Sequence, residues 1–406
     1  MSLFKIKEND SHVSITLLGL RIRIRVKNPY PVSRLFSRLV QKFCKVSPNK
    51  VLVVNMMNWQ WACNPKYLMK ELLTRPESKD LDFIWLTNGS TKKDLLPEAF
   101  RYVPYDSFRA LYELHTSRVW LANAHMFLPF KKGTRKPAET FFFQTYHGSM
   151  GIKKIDADAK TFGDLGWHNW QRKSSESIDF AFTDSDMEKN IFSTAFWGYG
   201  QTLKIGKARD SIFYKDHKSI INRVKEYYQI PFEHKIFLYA PTWRSDKREN
   251  CYNVDIKMLK KSLKARFGGE WSILIRSHIH MKKEIFNALY DKDLVINATD
   301  YVDMQELLVA ADALMTDYSS CLPEFTILKR PSFIYATDLE KYENGFYYPL
   351  ETLPSPLATD NYELAENILN FDEEKFQKKA EAFLREMGHQ DDEFSCVRIV
   401  DFILEK

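Results

Sequence analysis

From residue 50 onward the chain alternates short, unbroken apolar runs with segments of helical spacing. Val51-Leu-Val-Val-Asn55, Phe83-Ile-Trp-Leu-Thr87, Val119-Trp-Leu-Ala-Asn123, Thr140-Phe-Phe-Phe-Gln-Thr145 and Asp179-Phe-Ala-Phe-Thr183 predict buried strands. Residues 64–73, 107–116 and 187–196 carry apolar positions on one helical face and predict helices. Strands apolar on both faces must be covered on both faces, which is the signature of a parallel sheet wound by helices. The pattern restarts after Thr202-Leu-Lys-Ile-Gly206. Strands are predicted at 235–239, 271–276, 293–297, 313–316 and 332–335, with helices at 254–267 and 303–311. Helices at 362–371, 375–387 and 394–406 close the chain. The expected fold is therefore α/β, with two facing doubly wound, Rossmann-like domains. One spans 49–200 and the other 201–370, their boundary falls near 198–208, and helices occupy 371–406. Ligands of such sheets lie outside the carboxyl ends of the strands.

Residues 1–48 read differently. Alternation over 3–27, broken by Asn9-Asp10-Ser11, predicts a β-hairpin, and Pro31 opens a helix with Val32, Leu35, Phe36, Leu39, Val40 and Phe43 on one face. Arg34, Arg38, Lys42 and Lys45 flank that stripe. Such a helix either lies on an anionic bilayer surface or packs its stripe against the body with its cations solvated.

Charge sharpens this division. Of the formal net charge of +6, the first 50 residues carry eleven Lys/Arg against two acids, so the remainder is net negative. A nucleic-acid enzyme would spread basic residues along its whole groove, so that class is excluded. No apolar run is long enough to span a bilayer, and the first residues lack the pattern of a signal peptide. Five scattered cysteines without C-x-x-C pairing fit reduced thiols rather than a disulfide framework or zinc site.

The chemistry falls just after predicted strands. His147 follows Phe141-Phe-Phe143 and precedes Gly148, where it either projects into a cleft to accept a proton or is tied off inside a turn. Thr316-Asp-Tyr-Ser-Ser320 lies between a strand and a helix containing Glu324. Its hydroxyls and backbone N–H groups make either a pyrophosphate cradle or an ordinary helix cap. Arg209 and Arg244 follow strands of the second unit and suit contacts to a diphosphate. Arg276 alternates with His278 and His280, so on a strand the three would share one face. His278 and His280 alternate on one face, but no third ligand cluster accompanies them, so no metal site is expected. Asp156 and Asp158 follow Lys153-Lys154. Trp167, His168 and Trp170 lie beyond them in an expected loop, as an acceptor platform or as plain surface packing.

Together these strings resemble the CDP-glycerol glycerophosphotransferase family, which builds teichoic-acid-type and related capsular polyol-phosphate chains. The resemblance spans roughly residues 50–370. It rests on Asn64-Pro-Lys66, Gln144-Thr-Tyr-His-Gly148, Lys153-Lys154, Arg209-Asp210, Tyr239-Ala-Pro-Thr-Trp-Arg244 and Arg276-x-His278. The densest block is Asp303-Met-Gln-Glu-Leu-Leu308, Asp312, Thr316-Asp-Tyr-Ser-Ser320, Lys329-Arg-Pro331, Asp338-Leu-Glu-x-Tyr342 and Gly345-Phe346.

The resemblance implies a glycosyltransferase-B-type pair of domains and metal-independent, cofactor-free transfer of glycerol phosphate from CDP-glycerol, with CMP leaving. It implies His147 as general base, and Arg209, Arg244, His278, Thr316, Asp317, Ser319, Ser320 and Glu324 on the donor side. Gly148, Ser149, Lys154, Asp156 and Trp167 are candidate acceptor or phosphate contacts. It also implies a lipid-linked saccharide or polyol-phosphate acceptor at the cytoplasmic membrane face, with the enzyme peripheral to that membrane. Three strings depart from the family's usual form: His147-Gly-Ser-Met150 for His-Gly-Thr-Pro, Gly206-Lys-Ala-Arg209-Asp210 for Gly-x-Pro-Arg-x-Asp, and Glu324 for Asp. A nucleotide-sugar glycosyltransferase and a non-catalytic nucleotide- or polysaccharide-binding protein are the competing expectations.

Overall fold

The computed structural model describes residues 4–9, 11–17, 20–26, 29–160, 165–242, 252–277, 286, 290–342 and 344–406. Three sheets organise it. The first is an antiparallel meander of β1 (Phe4–Glu8), β2 (His12–Leu17) and β3 (Leu20–Arg25). The expected hairpin thus carries a third strand. Its first turn is fixed as the sequence predicts, with the Asn9 side chain accepting from the N–H groups of Ser11 and His12 at 3.0 and 2.8 Å.

The second sheet is parallel and seven-stranded. Its strands are β4 (Ser47–Val54), β5 (Asp82–Thr87), β6 (Phe100–Pro104), β7 (Ser117–Ala122), β8 (Phe141–Gln144), β9 (Phe180–Thr183) and β10 (Gln201–Lys204), in the order β10-β9-β8-β7-β4-β5-β6. The third is parallel and six-stranded, with β11 (Lys235–Tyr239), β12 (Trp271–Ile275), β13 (Val295–Asn297), β14 (Ala313–Thr316), β15 (Ser332–Tyr335) and β16 (Leu357–Ala358) in the order β13-β12-β11-β14-β15-β16. Each sheet is entered at a central strand and extended first to one side, then to the other. The order therefore reverses between β4 and β7 and between β11 and β14, the points where crevices open in such sheets.

Core packing follows the pleat. Leu52 and Val54 join one apolar cluster while Val51 and Val53 join the cluster on the opposite face. Ile236 and Leu238 separate from Phe237 and Tyr239 in the same way. The chain then crosses back. The helix Ser395–Leu404 buries Cys396, Ile399, Val400 and Ile403 against Val51, Phe143 and Phe182 of the seven-stranded sheet.

At the other end, the helix Pro31–Phe43 sits on Ser33, Ser37 and Val40, the small serines allowing close approach, and Phe36 meets Phe108 edge-on at 5.2 Å. Glu8 of β1 caps this helix, accepting from the N–H groups of Val32 and Ser33 at 3.1 Å. The predicted apolar stripe is split. Leu35, Leu39 and Phe43 stay exposed, as do Leu17, Leu20, Ile22 and Ile24 of the meander. Among the described residues no helix is long and apolar enough to cross a membrane.

Candidate active site

At the switch point of the seven-stranded sheet, asparagines end two neighbouring strands and bond each other. Asn123 Nδ2 donates to Asn55 Oδ1 at 2.9 Å, and Asn123 Oδ1 accepts from Met56 N–H at 2.9 Å. This fixes the carbonyl of Asn123, which lies 2.8 Å from His147 Nδ1. A carbonyl only accepts, so Nδ1 carries the proton and the neutral ring keeps its lone pair on Nε2. His147 lines a cleft of about 230 Å³ between the two parallel sheets. Burial, then the charges of Arg209 and Lys207, push its pKa down to about 4, against the hydrogen bond to Asn123 and the field of Asp156. The imidazole is therefore neutral near pH 7.

The loop carrying His147 is held from several sides. Asn64 Nδ2 donates to the carbonyls of Thr145 and Tyr146 at 3.1 and 3.0 Å, and its Oδ1 accepts from Arg209 N–H at 2.9 Å. Buried Lys207 pairs with Glu188 at 2.6 Å while donating to the carbonyls of Thr145 and Phe182. Tyr146 takes a left-handed φ of 53°, which turns the chain sharply enough to expose His147 to the cleft. Gly148 then meets the opposite wall. A Cβ there would lie 3.1 Å from Ser320 Oγ and 3.2 Å from Ser320 Cβ, so a side chain would push Ser320 back by a few tenths of an ångström.

That opposite wall is the crevice of the six-stranded sheet. Thr316 donates its hydroxyl to the Ala240 carbonyl at 2.6 Å, and Asp317 accepts from Thr242 N–H at 3.0 Å, zipping the ends of β11 and β14 together. Ser319 Oγ accepts from Cys321 N–H at 3.3 Å, so the helix-cap reading holds in part, while Ser320 makes no side-chain cap. Both serines line the cleft with His147, Arg209, Arg276 and Glu324. Arg209 is ion-paired with Glu324, whose other oxygen accepts from Gln305 Nε2 at 2.9 Å. This pair joins the crossing segment to the helix Cys321–Thr326.

The remaining candidates lie away from the cleft. Thr316 and Asp317 spend their polar groups on the loop after β11. Ser149 is fully buried and donates to Asp184. Lys154 packs along Gly345 and donates its N–H to that carbonyl at 3.1 Å. Asp156 is bonded by His125 Nε2 at 2.8 Å and Gln171 Nε2 at 2.7 Å. Trp167 lies in the helix Leu165–Glu176 rather than in the expected loop, 4.5 Å from the Phe127 ring, because that segment buries one face. Arg244, His278 and His280 lie outside the described residues.

Sequence reasoning passed over any role for Asn123, and read Gln305 and Lys207 only inside longer strings without assigning them one. Asn123 carried a readable signal, a polar amide ending an apolar strand.

Two parallel sheets thus face each other across a cleft, with a neutral histidine on one wall and paired serines on the other. The family model for CDP-Glycerol:Poly(glycerophosphate) glycerophosphotransferase matches residues 35–405, and the chain belongs to that family. It is 27% identical over 362 residues to a teichoic acid poly(glycerol phosphate) polymerase of Staphylococcus epidermidis, covering 85% of this chain but only 49% of that protein. The chain thus spans about half the length of that relative. It is 31% identical over 378 residues to a teichoic acid ribitol-phosphate primase of Bacillus spizizenii, covering 90% of this chain and 93% of that one. The solved wall teichoic acid polymerase TagF has the same fold, with a TM-score of 0.79 at 24% identity and 92% of each chain covered.

Proposed function

We propose that this protein transfers glycerol phosphate, or a related alditol phosphate, from a CDP-activated donor to a hydroxyl of a teichoic-type acceptor, releasing CMP. One observation carries the reading. His147 lines the cleft with Ser319 and Ser320, and the Asn123 carbonyl locks it into the tautomer that carries its lone pair on Nε2. In the proposed step the acceptor oxygen attacks the β-phosphorus while Nε2 takes its proton. The bond from that phosphorus to the bridging oxygen breaks, and the electron pair leaves on CMP. Arg209 and the serine hydroxyls stabilise the charge on the pyrophosphate, in a site where fixed donors are each worth about 3 kcal/mol. Arg244, His278, Thr316, Asp317 and Glu324 complete the donor side, directly or by holding its loops. Ser149, Lys154, Asp156 and Trp167 support the acceptor side.

The pair of sheets works as a glycosyltransferase-B-type enzyme, with residues 49–200 facing the acceptor and 201–370 the donor. The protein sits on the cytoplasmic membrane face, where a lipid-linked acceptor is presented. Exposed Leu20, Ile22 and Ile24 alternate with Arg21, Arg23 and Arg25, and exposed Leu35, Leu39 and Phe43 adjoin Arg38 and Lys42. An apolar surface set among cations suits an anionic bilayer.

The test is nucleotide release from CDP-glycerol, CDP-ribitol and nucleotide sugars in the presence of acceptor. CMP from a CDP-alditol is expected, whereas a nucleoside diphosphate released from a sugar donor would mark glycosyl transfer instead. His147→Ala should lower turnover roughly 10²–10⁴-fold. Turnover near wild type in that variant removes His147 from the mechanism.

A further inference from the structure

Three carboxylates that the proposed reaction does not use meet where the chain crosses between the parallel sheets. Asp184 follows β9, Asp210 lies on the outward crossing, and Asp391 lies on the return toward the helix Ser395–Leu404. One oxygen from each lies within 4.8 Å of the other two. None of the three lines the cleft.

Asp184 and Asp210 are fully enclosed. Neither oxygen of Asp210 accepts a hydrogen bond, and its ion-pair contact is a long one, 3.7 Å from Oδ1 to Arg209 Nε. Asp184 Oδ1 also lacks a donor, while its Oδ2 takes the Ser149 hydroxyl and lies 3.4 Å from His389 Nδ1. Asp391 accepts from Lys207 N–H at 3.2 Å and from the Ser395 hydroxyl.

Enclosed carboxylates persist when paired or metal-bound. The fixed cations nearby are already engaged, Lys207 with Glu188 and Arg209 with Glu324. The convergence leaves both oxygens of Asp210 and Oδ1 of Asp184 without a hydrogen-bond partner, and a divalent cation would supply one.

We propose that Asp184, Asp210 and Asp391 bind a divalent cation that pins the two crossings together. An all-oxygen carboxylate set selects a hard divalent ion such as Ca²⁺ or Mg²⁺. Through Ser149 the ion also steadies the loop two residues beyond His147. It is a strut between segments and takes no part in the transfer.

The full-length protein, stripped with EDTA, would be titrated separately with CaCl₂ and MgCl₂ by calorimetry and by thermal melting. Binding of one divalent ion per chain is expected, with a melting temperature that rises with ion concentration. Asp391→Asn should weaken binding at least tenfold. Absence of saturable binding and of any melting shift with both ions overturns the proposal, as does unchanged affinity for the bound ion in Asp391→Asn. Should that variant fail to fold, the metal content of wild-type protein before and after EDTA, read by mass spectrometry, decides the matter. These readouts are independent of donor chemistry, so their failure leaves the transferase reading untouched.

Discussion

Lys66 offers the most quantitative test of how the two parallel sheets are held in register. Its ammonium reaches from the helix Cys63–Leu72 to Asp303 Oδ2 at 2.5 Å and Glu306 Oε1 at 2.8 Å, on the far side of the cleft. The three side chains are 7%, 3% and 9% exposed, so solvent screens the group little. Burial alone would lower the lysine pKa, but Asp303 and Glu306 reverse that and raise it. Lys66→Met keeps the aliphatic stem and removes the charge, leaving two buried carboxylates short of a partner. Breaking such a group costs about 3–5 kcal/mol. The lower end applies here, because Asp303 keeps the Tyr67 hydroxyl at 2.9 Å and Glu306 keeps Arg223 at 3.1 Å and Tyr301 at 2.7 Å.

With an unfolding entropy of about 2 cal/mol/K per residue, a loss of about 3 kcal/mol lowers the melting temperature by about 3–4 °C. Calorimetry at pH 7.5 measures it. The triple variant Lys66→Met, Asp303→Asn, Glu306→Gln should regain at least half of the loss, since the uncompensated charge is gone. A Lys66→Met melting point within 1 °C of wild type, or a triple variant no better than the single, would refute the reasoning.

Three further outcomes follow from the same geometry. Gly148→Ala should cost about 1–3 kcal/mol of stability through its contact with Ser320; Ser320→Gly in the same chain should restore most of it, and a double-mutant cycle by denaturant unfolding reads the coupling. His147 has a folded pKa of about 4 against an ordinary value of about 6.5, so the unfolded chain binds a proton that the fold refuses in that window. Stability should rise with pH between those values by up to about 3 kcal/mol, and His147→Asn should show a correspondingly shallower acid loss in parallel denaturation curves. Ile22→Ser with Ile24→Ser, residues 62% and 49% exposed, should weaken sedimentation with anionic vesicles, as should raised salt, while leaving the melting temperature unchanged.

Much of the fold was written locally. Runs such as Val51–Val54 and Phe141–Phe143 are apolar on both faces, and only a parallel sheet wound by helices satisfies that pattern. β6 and the helix Lys218–Tyr228 escaped notice because their apolar residues are too sparse for period alone to separate from loop. Trp167 was placed in a loop for the same reason, glycines nearby outweighing a weak helical stripe.

The site was legible in its parts and not in its wiring. Placing His147 and Ser319-Ser320 after strands was enough to aim them at crevices, since carboxyl ends of parallel strands converge there. The tautomer of His147 depends on the carbonyl of Asn123, 24 residues away. The role of Glu324 as partner of Arg209 spans 115 residues, and the latch between Lys66 and Asp303 spans 237. The cluster of Asp184, Asp210 and Asp391 likewise lies across both crossings, so no spacing rule could assemble it.

What the sequence determined by itself is therefore the chemistry of each strand end, because residue type, periodicity and strand direction are local properties. Which of those ends oppose one another, and which charges are left enclosed without partners, was decided only when the two sheets packed. Burial and charge pairing are properties of contacts between segments far apart in the chain.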